Sequence, residues 1–181
     1  GVIGGSADDT LKGTIGANSL IGGLGNDTLL GGGVSGGSAT VYDYIEGGAG
    51  SEDFVSYSYL TNVQKAEIDL SNTAVQNAID AGYINISTVE NLEGGAGADS
   101  IIGGSGDDVI KQTQGETRDA SNNYDFIDGG TNTALGDTVD YSTFTSSIEV
   151  ALGGDSVVWA KVGTSTFDHQ LKSIENIKGL W

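Results

Sequence analysis

Large aliphatic residues recur every nine residues in two parts of the chain. The two series are Leu11, Leu20 and Leu29, and then Leu92, Ile101 and Ile110. Each of these residues except Leu92 is the middle one of three that follow a glycine-rich hexapeptide. Because side chains alternate between the two faces of a strand, the middle aliphatic residue would point inward. The pattern predicts short strands alternating with tight turns, stacked so that the aliphatic residues share one core.

Three stretches have the full form G-G-x-G-x-D-x-U-x, in which U is a large aliphatic residue. They are residues 22–30, 94–102 and 103–111. Glycine tolerates positive φ, so the first six residues can turn sharply while carbonyl groups point inward. Asp at position six adds a carboxylate. Calcium binds six to eight such oxygens at roughly 2.3–2.6 Å, more than one loop offers, so two stacked loops would share an ion.

This nonapeptide resembles the repeat of RTX (repeats-in-toxin) calcium-binding modules, as in hemolysin-type and serralysin-like β-rolls. The resemblance implies an all-β fold, namely a parallel β-roll (a two-sheet right-handed solenoid), here with two non-repeat excursions. It also implies several Ca²⁺ ions between the loops on each side. The candidate ligands, at loop positions two, four and six, are Gly5, Ala7, Asp9, Asn18, Gly23, Gly25, Asp27, Asp43, Gly48, Gly50, Asp53, Glu90, Gly95, Gly97, Asp99, Gly104, Gly106, Asp108, Asp125, Asp137 and Glu175.

Some repeats depart from the pattern at a ligand position. Ala7 replaces a glycine, and Asn18 stands where Asp is expected. An amide oxygen brings no charge, so the site at Asn18 should be weaker or half-built. The loop that starts at Gly47 holds one residue too many. Asp53 is the preferred ligand there, and Glu52 is the competing assignment.

Several other acidic residues can be interpreted as surface charges and not as calcium ligands. Glu90 and Glu175 occupy position six with a longer side chain, for which a solvated position is an equally good interpretation. Asp8, Asp107 and Asp140 are interpreted as surface charges.

Two excursions leave the nonapeptide pattern, over residues 56–88 and 143–172. In the first, residues 56–59 and 66–70 alternate as half-buried strands do, and residues 73–81 have the spacing of a short helix. We expect this excursion to bulge from the stack and to flank one sheet. Residues 31–41 and 112–123 are interpreted as insertions.

The second part of the chain repeats the first. Residues 137–142 echo residues 53–58, and residues 173–177 echo residues 88–92. They predict a single module over residues 1–181, built as a tandem duplication of roughly 1–111 and 112–181. No domain boundary is expected between the halves, because a solenoid buries its core only by stacking neighbours.

Charge narrows the choice of partners. The chain carries 25 Asp and Glu against 7 Lys and Arg, a formal net charge of −18. A compact chain with this charge repels itself unless cations neutralise it. Nucleic acid and anionic membranes are excluded as partners by the shortage of basic residues. With no cysteine, disulfides and thiolate metal sites are impossible, and no apolar run is long enough to span a membrane.

The sequence gives little support for any catalytic motif. Ser35 lies in a G-x-S-x-G pattern, but the one possible base is His169, in a polar segment typical of a loop. A zinc protease motif H-E-x-x-H needs two histidines. We therefore expect a protein that is not an enzyme.

The resemblance implies a bacterial protein that is exported by type I secretion, and this chain would be covalently part of a longer one. A three-residue strand buries little, so we expect a largely disordered chain that folds when it binds calcium outside the cell. One alternative is a module similar to the R-modules of mannuronan epimerases, binding an anionic polysaccharide through Lys161, Lys172 and Lys178. Another is a structural segment of an adhesin or surface layer at the cell surface.

Overall fold

A computed structural model describes residues 1–32, 42–61, 64–74, 76–78, 83–113, 125–152, 156–163 and 169–179. Within these ranges the chain forms β-strands and turns and no helix. Most strand pairs are parallel, and outside the two excursions successive strands alternate between two faces of the roll. The predicted all-β parallel roll is confirmed.

One face is a single sheet of parallel strands, which we call the continuous sheet. It runs, from one end of the roll to the other, through β2 (Thr10–Lys12), β4 (Thr28–Leu30), β6 (Phe54–Ser56), β10 (Asn91–Glu93), β12 (Val109–Lys111), β14 (Thr138–Asp140) and β18 (Asn176–Lys178).

The opposite face is divided into two sheets. The first runs through β1 (Val2–Ile3), β3 (Ser19–Leu24), β5 (Asp43–Ala49), β9 (Tyr83–Ser87) and β8 (Gln76–Asn77). The second runs through β7 (Glu67–Asp69), β11 (Ser100–Ile102), β13 (Asp125–Asp128), β17 (His169–Lys172), β16 (Val158–Val162) and β15 (Ile148–Val150).

The core consists of the middle side chains of these short strands. In the continuous sheet the register places Leu11, Leu29, Val55, Leu92 and Ile110 in one row. All of them are buried. The residues of both nine-residue series are buried, so the predicted core register is confirmed. Each strand contributes one aliphatic residue, so the core exists only where neighbouring turns stack.

The first excursion is part of the sheets, which corrects the expectation that it flanks one of them. Strand β7 pairs in parallel with β11, and Ile68 lies beside Ile101 in that register. Strand β8 pairs antiparallel with β9. The backbone N–H of Glu67 donates to the carbonyl of Ala78 at 3.4 Å. The excursion therefore adds two strands between β9 and β11, while β10 and β12 remain neighbours on the opposite face.

Two local predictions in the first excursion are wrong. Residues 57–60 form a turn closed by a hydrogen bond from Leu60 N–H to the Tyr57 carbonyl (2.9 Å), so the strand ends at Ser56. The short helix over residues 73–81 is replaced, in its described part, by β8. A helix of one or two turns is marginal on its own, whereas pairing with β9 satisfies the backbone. The strand predicted over residues 66–70 is confirmed as β7.

The second excursion has the same arrangement at the end of the roll. Strands β15 and β16 form an antiparallel hairpin that pairs with β17. Strands β15 and β18 are the last strands of their sheets. In the described part of the chain no helix has the length and apolar character needed to span a membrane. Most of the two insertions at residues 31–41 and 112–123 lies outside the described residues.

Candidate metal centre

Seven acidic side chains lie one above the other along one edge of the roll, and we call them the first acidic column. Each is the residue immediately before a strand of the continuous sheet. Because these strands are paired in register, the seven side chains are stacked in one column. The members are Asp9, Asp27, Asp53, Glu90, Asp108, Asp137 and Glu175. All are position-six residues of the sequence analysis.

A second acidic column lies on the other side, where the chain enters the divided face. Register places Asn18 beside Asp43 in one part and Asp99 beside Asp125 in the other. The backbone N–H of Asn18 donates to Asp43 Oδ1 (2.8 Å), and that of Asp99 donates to Asp125 Oδ1 (2.7 Å). The structure therefore brings the predicted position-six residues together in two groups.

In three aspartates of the first column, one carboxylate oxygen accepts a hydrogen bond that joins consecutive turns. Asp27 Oδ1 accepts from the backbone N–H of Asp9 (2.8 Å), and Asp53 Oδ1 accepts from that of Asp27 (2.7 Å). Asp137 Oδ1 accepts in the same way from Asp108 (2.8 Å). The longer Glu90 also reaches this position, where Oε2 accepts from Asp53 N–H at 2.9 Å. The same geometry recurs at Glu175 with Asp137 N–H.

The second oxygen is different in four of the aspartates. Oδ2 of Asp27, Asp53 and Asp137 in the first column, and of Asp43 in the second, is buried and has no hydrogen-bond partner among the described residues. An unsatisfied buried carboxylate oxygen is costly and is typical of a position that binds an ion or a water molecule. These four atoms are the clearest sign of a cation site in this structure.

Backbone carbonyls converge on the same places. A Cβ built on Gly22 would overlap both Asp27 Oδ2 and the carbonyl oxygen of Gly47 in the next turn. At Gly129 the overlap would be with Asp137 Oδ2 and the carbonyl oxygen of Ser173. Only glycine leaves room for two such oxygens to approach. At these two positions the first glycine of the loop therefore lies where a carboxylate oxygen and a carbonyl oxygen of the next turn meet.

Thr88 and Ser173 belong to this arrangement, and the sequence analysis missed them. Both have positive φ, 49° and 50°, although neither is glycine. Their carbonyl oxygens lie against Gly47 and Gly129 respectively. Thr88 Oγ1 also accepts from the Gly48 N–H at 2.8 Å. The signal in the sequence was the repeated stretch at residues 88–92 and 173–177, which marks two shortened loops.

The carboxylates repel one another and are poorly hydrated. Burial, and then the neighbouring charge of Asp125, raises the pKa of Asp99 to about 7. Burial, with the charges of Asp108 and Glu175, raises the pKa of Asp137 to about 7. Burial is also the main cause that raises the pKa of Asp108 to about 6, and the pKa of Asp53 is raised for the same reason. A divalent cation beside these groups would offset both causes.

The glycines predicted at positions two and four lie in stacked loops. Gly23 and Gly48 have positive φ of 119° and 115°, and their loops are paired in register. The Gly5 carbonyl accepts from Leu24 N–H at 3.0 Å, and the Gly104 carbonyl accepts from Thr131 N–H at 3.2 Å. The carbonyls at position two are therefore directed along the stack towards the next turn.

The remaining loop glycines show the same close stacking. Gly25 has a positive φ of 109° and lies against the backbone of Ala7, and the Gly25 carbonyl lies against Gly50. Gly95 and Gly97 on the other side lie against residues 60 and 64 of the first excursion. Gly106 has a positive φ of 136° and open space around it. Their role as calcium ligands stays a prediction.

Of the two competing residues in this loop, Asp53 lies in the first column and Glu52 does not. Asp53 is buried and hydrogen-bonded within the first column, whereas Glu52 is exposed. Asp8 is exposed, as expected of a surface charge. Asp140 is not a surface charge: it is buried and paired with Lys178 Nζ at 2.9 Å. The cross-strand register, which brings Lys178 beside it, is the reason.

The interpretation of His169 as a loop residue is wrong. It lies in β17, is 2% exposed, and Nδ1 is 2.8 Å from the Tyr141 hydroxyl. Its Nε2 is 3.8 Å from Asp125 Oδ2. A buried polar ring needs such partners, and only the antiparallel hairpin with β16 supplies an enclosed position for it.

The oxygen atoms between consecutive turns come from the backbone as well as from side chains, and such a mixed set of oxygen ligands suits calcium. In the described part of the chain, no group of three or more His, Cys, Asp or Glu side chains converges on one point. Each turn offers one carboxylate and several carbonyl oxygens. Hard oxygen ligands of this kind suit Ca²⁺, which accepts irregular geometry and high coordination numbers. The residues present therefore fit a calcium ion held between consecutive turns.

Comparison with known families agrees with this geometry. The RTX calcium-binding nonapeptide repeat matches residues 3–35 and 87–111, in four copies. No curated protein matches this chain significantly. The loops around Asp43, Asp53, Asp125, Asp137 and Glu175 lie outside the matched residues, yet the structure places them in the same two columns. Geometry therefore extends the repeat pattern beyond the segments that sequence similarity detects.

Proposed function

We propose that this chain, which carries RTX calcium-binding nonapeptide repeats, is a non-catalytic module that folds when calcium binds between its stacked turns. One observation carries the proposal. In the first column, the unpartnered Oδ2 atoms of Asp27, Asp53 and Asp137 each meet a carbonyl oxygen of the next turn at a glycine. Oxygen atoms so arranged repel one another unless a cation lies between them.

Calcium would act on the folding equilibrium itself. The site exists only when two turns are stacked, so its binding free energy adds to the free energy of folding. A single site at a calcium concentration one hundred times its Kd adds about 2.7 kcal/mol. Several sites along two columns would add several such contributions, which is large compared with the thin core of one aliphatic residue per strand.

Folding that depends on calcium would suit a protein that is exported before it folds. RTX repeat proteins are generally exported by type I secretion, and a chain that folds only in calcium would remain extended inside the cell. Millimolar calcium outside would then fold it. In this proposal residues 1–181 are one duplicated module that stabilises a larger secreted or surface protein.

Circular dichroism tests the proposal directly. The calcium-free chain should lack the β-rich spectrum, and titration with CaCl₂ should restore it cooperatively, while MgCl₂ at the same concentration should not. Mg²⁺ is the matched control because it requires a smaller, more regular octahedral site. A β-rich spectrum that is unchanged by calcium removal would contradict calcium-dependent folding.

The polysaccharide alternative finds little support in the charges of this surface. Lys161, Lys172 and Lys178 each pair with a carboxylate, namely Glu149, Asp128 and Asp140. A strip of lysines that are already paired offers a polyanion little net positive charge. Binding to an anionic polysaccharide stays a prediction without a structural observation in its favour.

A further inference from the structure

At five loops of the first acidic column, a carboxylate oxygen meets a carbonyl oxygen of the next loop. A Cβ built on the first glycine of each loop would overlap both atoms, namely Oδ2 of the aspartate in the same loop and the carbonyl oxygen of the first residue in the next loop. These glycines are Gly4, Gly22, Gly47, Gly103 and Gly129. Each such pair of loops is a candidate calcium site, to which the earlier loop gives the carboxylate and the later loop the carbonyl. The loop at residues 22–27 therefore belongs to two sites.

The loop at residues 88–90 is shorter than these loops. A single residue stands between Thr88 and Glu90, whereas at least four stand between the first glycine and the aspartate of the other loops. The Thr88 carbonyl nevertheless lies against Gly47, where Asp53 Oδ2 also lies. The shortened loop therefore supplies the carbonyl oxygen for the site of Asp53.

The shortened loop lacks what a site with the following loop, residues 103–108, requires. Its first residue is Thr88, which has a Cβ where the other loops have a glycine that leaves room for two oxygen atoms. Glu90 Oε2 accepts from Asp53 N–H at 2.9 Å and is thus directed to the preceding loop. The Glu90 N–H also pairs backwards, with the Asp53 carbonyl at 3.3 Å. The first column is therefore interrupted between Glu90 and Asp108.

The second acidic column is interrupted in the same part of the roll. Ala66 immediately precedes β7, and its N–H donates to Asp99 Oδ1 at 2.6 Å, so it takes the place of a position-six residue. Alanine has no carboxylate to give to a site with the next loop. The divided face breaks beside it, because β7 is the end strand of its sheet. Among the described strands, the continuous sheet passes through this part unbroken, since β10 pairs with both β6 and β12.

A side-chain amide joins the two sides of the interruption. Elsewhere in the continuous sheet the first N–H of a strand donates to a position-six carbonyl of the preceding turn, as Phe54 does to Asp27 at 2.8 Å. The Val109 N–H donates instead to Asn91 Oδ1 at 2.9 Å. Asn91 is 7% exposed, and its Nδ2 donates to the Asp53 carbonyl at 3.3 Å. The Asn91 side chain therefore links three successive turns without a metal ion.

We propose that the roll consists of two calcium units, joined at a junction that binds no ion and is held by Asn91. The inference rests on the proposed function, since the sites on either side are those that calcium would fill. Within a unit, neighbouring ions share a loop, whereas no loop is shared across the junction. In the first column, the sites of the first unit are those of Asp9, Asp27 and Asp53, and the sites of the second unit are those of Asp108 and Asp137.

The hydrophobic core crosses the junction without a break. In the continuous sheet Leu92 lies between Val55 and Ile110, and all three are fully buried. The two units therefore remain one module, held together by strand pairing and apolar contacts between neighbouring turns. Calcium acts on each unit separately, because the ions on the two sides have no ligand in common.

The number of bound calcium ions tests the junction. Replacing residues 88–90 by the sequence of residues 103–108 gives the shortened loop every position of a full one. The number of ions per folded chain, measured by equilibrium dialysis and atomic absorption, should then rise by one. Replacing residues 103–108 by the sequence of residues 22–27 exchanges one full loop for another and is the control, which should leave the number unchanged. An unchanged number in the first variant would overturn the proposal.

Asn91→Ala tests how the junction is held. The substitution leaves the Val109 N–H without its acceptor, so the equilibrium constant for folding in saturating calcium should fall by about tenfold. The number of bound ions should remain that of the wild-type chain. Asp53→Ala is the comparison, because it removes a proposed ligand and should lower the number of ions. A lower number in Asn91→Ala would make the amide oxygen a ligand and contradict a junction without metal.

Hydrogen exchange tests the division into two units. Asp27→Asn weakens a site of the first unit, and Asp137→Asn weakens one of the second. At a calcium concentration that just folds the wild-type chain, Asp137→Asn should cost the amides of β12 and β14 more protection than those of β2 and β4. Asp27→Asn should have the reverse effect. Equal losses on both sides of the junction in each variant would show that the roll responds to calcium as one unit, against the proposal.

Circular dichroism of every sample separates this inference from the proposed function. If the wild-type chain does not fold in calcium, both are overturned. If it folds and the loop replacement adds no ion, the junction alone is overturned and calcium-dependent folding stands. If the loop replacement fails to fold, Asn91→Ala and the hydrogen-exchange comparison still decide the matter, since neither alters the length of a loop.

Discussion

The two oxygens of a position-six aspartate have different tasks. Oδ1 of Asp53 accepts a backbone hydrogen bond from Asp27, which fixes the distance between consecutive turns. Oδ2 is buried without a hydrogen-bond partner among the described residues. An asparagine can preserve the first contact but not the negative charge of the second. The sequence left Asp53 and Glu52 as competing ligands, and only their positions in the fold distinguish them.

Asp53→Asn and Glu52→Gln form a matched pair of variants, because each removes one negative charge at adjacent positions. We expect Asp53→Asn to weaken calcium binding by about tenfold or more, equivalent to ~1.4 kcal/mol. Glu52→Gln should change the affinity little, since Glu52 is exposed. Isothermal titration with calcium measures both. Equal losses of affinity in the two variants would contradict the assignment of Asp53.

Gly22 is required for space and not for a positive φ. A Cβ at this position would overlap Asp27 Oδ2 and the Gly47 carbonyl, whereas one at Gly179 would meet nothing within 4 Å. Gly22→Ala should therefore lower the free energy of unfolding in calcium by about 1–3 kcal/mol, the usual cost of overpacking. Gly179→Ala should be neutral. Urea denaturation in saturating calcium provides the comparison, and unchanged stability of Gly22→Ala would contradict the close approach.

At the scale of elements, the two excursions begin with the same turn but finish it differently. Leu60 N–H donates to the Tyr57 carbonyl, and Phe144 N–H donates to the Tyr141 carbonyl, each at 2.9 Å. Both tyrosine rings are fully buried. In the second excursion the Tyr141 ring stacks on His169 with centroids 5.4 Å apart, and the hydroxyl is hydrogen-bonded to it. The Tyr57 hydroxyl has no hydrogen-bond partner in the described part of the chain.

Removing the two hydroxyl groups should therefore have unequal effects. Tyr141→Phe removes the buried hydrogen bond between the Tyr141 hydroxyl and His169 Nδ1, and we expect it to cost about 1–3 kcal/mol. Tyr57→Phe removes a buried hydroxyl that lacks a partner, and it should be neutral or stabilising. The change in urea midpoint in saturating calcium measures each effect. A larger loss for Tyr57→Phe would show that its hydroxyl is satisfied, for example by an ordered water.

At the scale of the whole molecule, charge sets the conditions under which the roll exists. The net charge of −18 is concentrated in part along two columns of carboxylates. In the folded state without calcium, burial and mutual repulsion raise the pKa of Asp99 and Asp137 to about 7 and that of Asp108 to about 6. The ordinary value for these groups is 3.8. Their ionisation therefore opposes folding unless a cation is bound.

The pH dependence should reverse sign when calcium is added. Without calcium, the folded state binds more protons than the unfolded state between pH 3.8 and about 7, so stability should fall as the pH rises through this window. With calcium, protons compete for the same carboxylates, so affinity and stability should fall as the pH is lowered. Circular dichroism of a dialysed sample at about pH 5 and about pH 8 tests both arms. A calcium-free spectrum that is equally disordered at the two pH values would contradict the first arm.

The parts of the fold that could be predicted are those that repeat locally. In a nonapeptide, the turn, the carboxylate and the inward aliphatic residue lie within nine positions of one another. Leu29, Leu92 and Ile110 are therefore buried as expected. Stacking identical units in register then places Asp9, Asp27 and Asp53 in one column without further information. Periodicity, with a residue set that suits tight turns and hard cations, predicted the roll and indicated calcium as its ion from sequence alone.

Tertiary structure decided whatever depends on residues far apart in the chain. Strand β7 joins the sheet because β11, more than thirty residues later, offers an edge to it. Asp140 is buried because β18 brings Lys178 beside it, and His169 is enclosed because the hairpin of the second excursion folds against β17. The positive φ of Thr88 and Ser173 is likewise imposed by the loops stacked against them. A pattern of nearest neighbours carries no information about such pairings, since their free energy comes from contacts that form only when the turns are assembled.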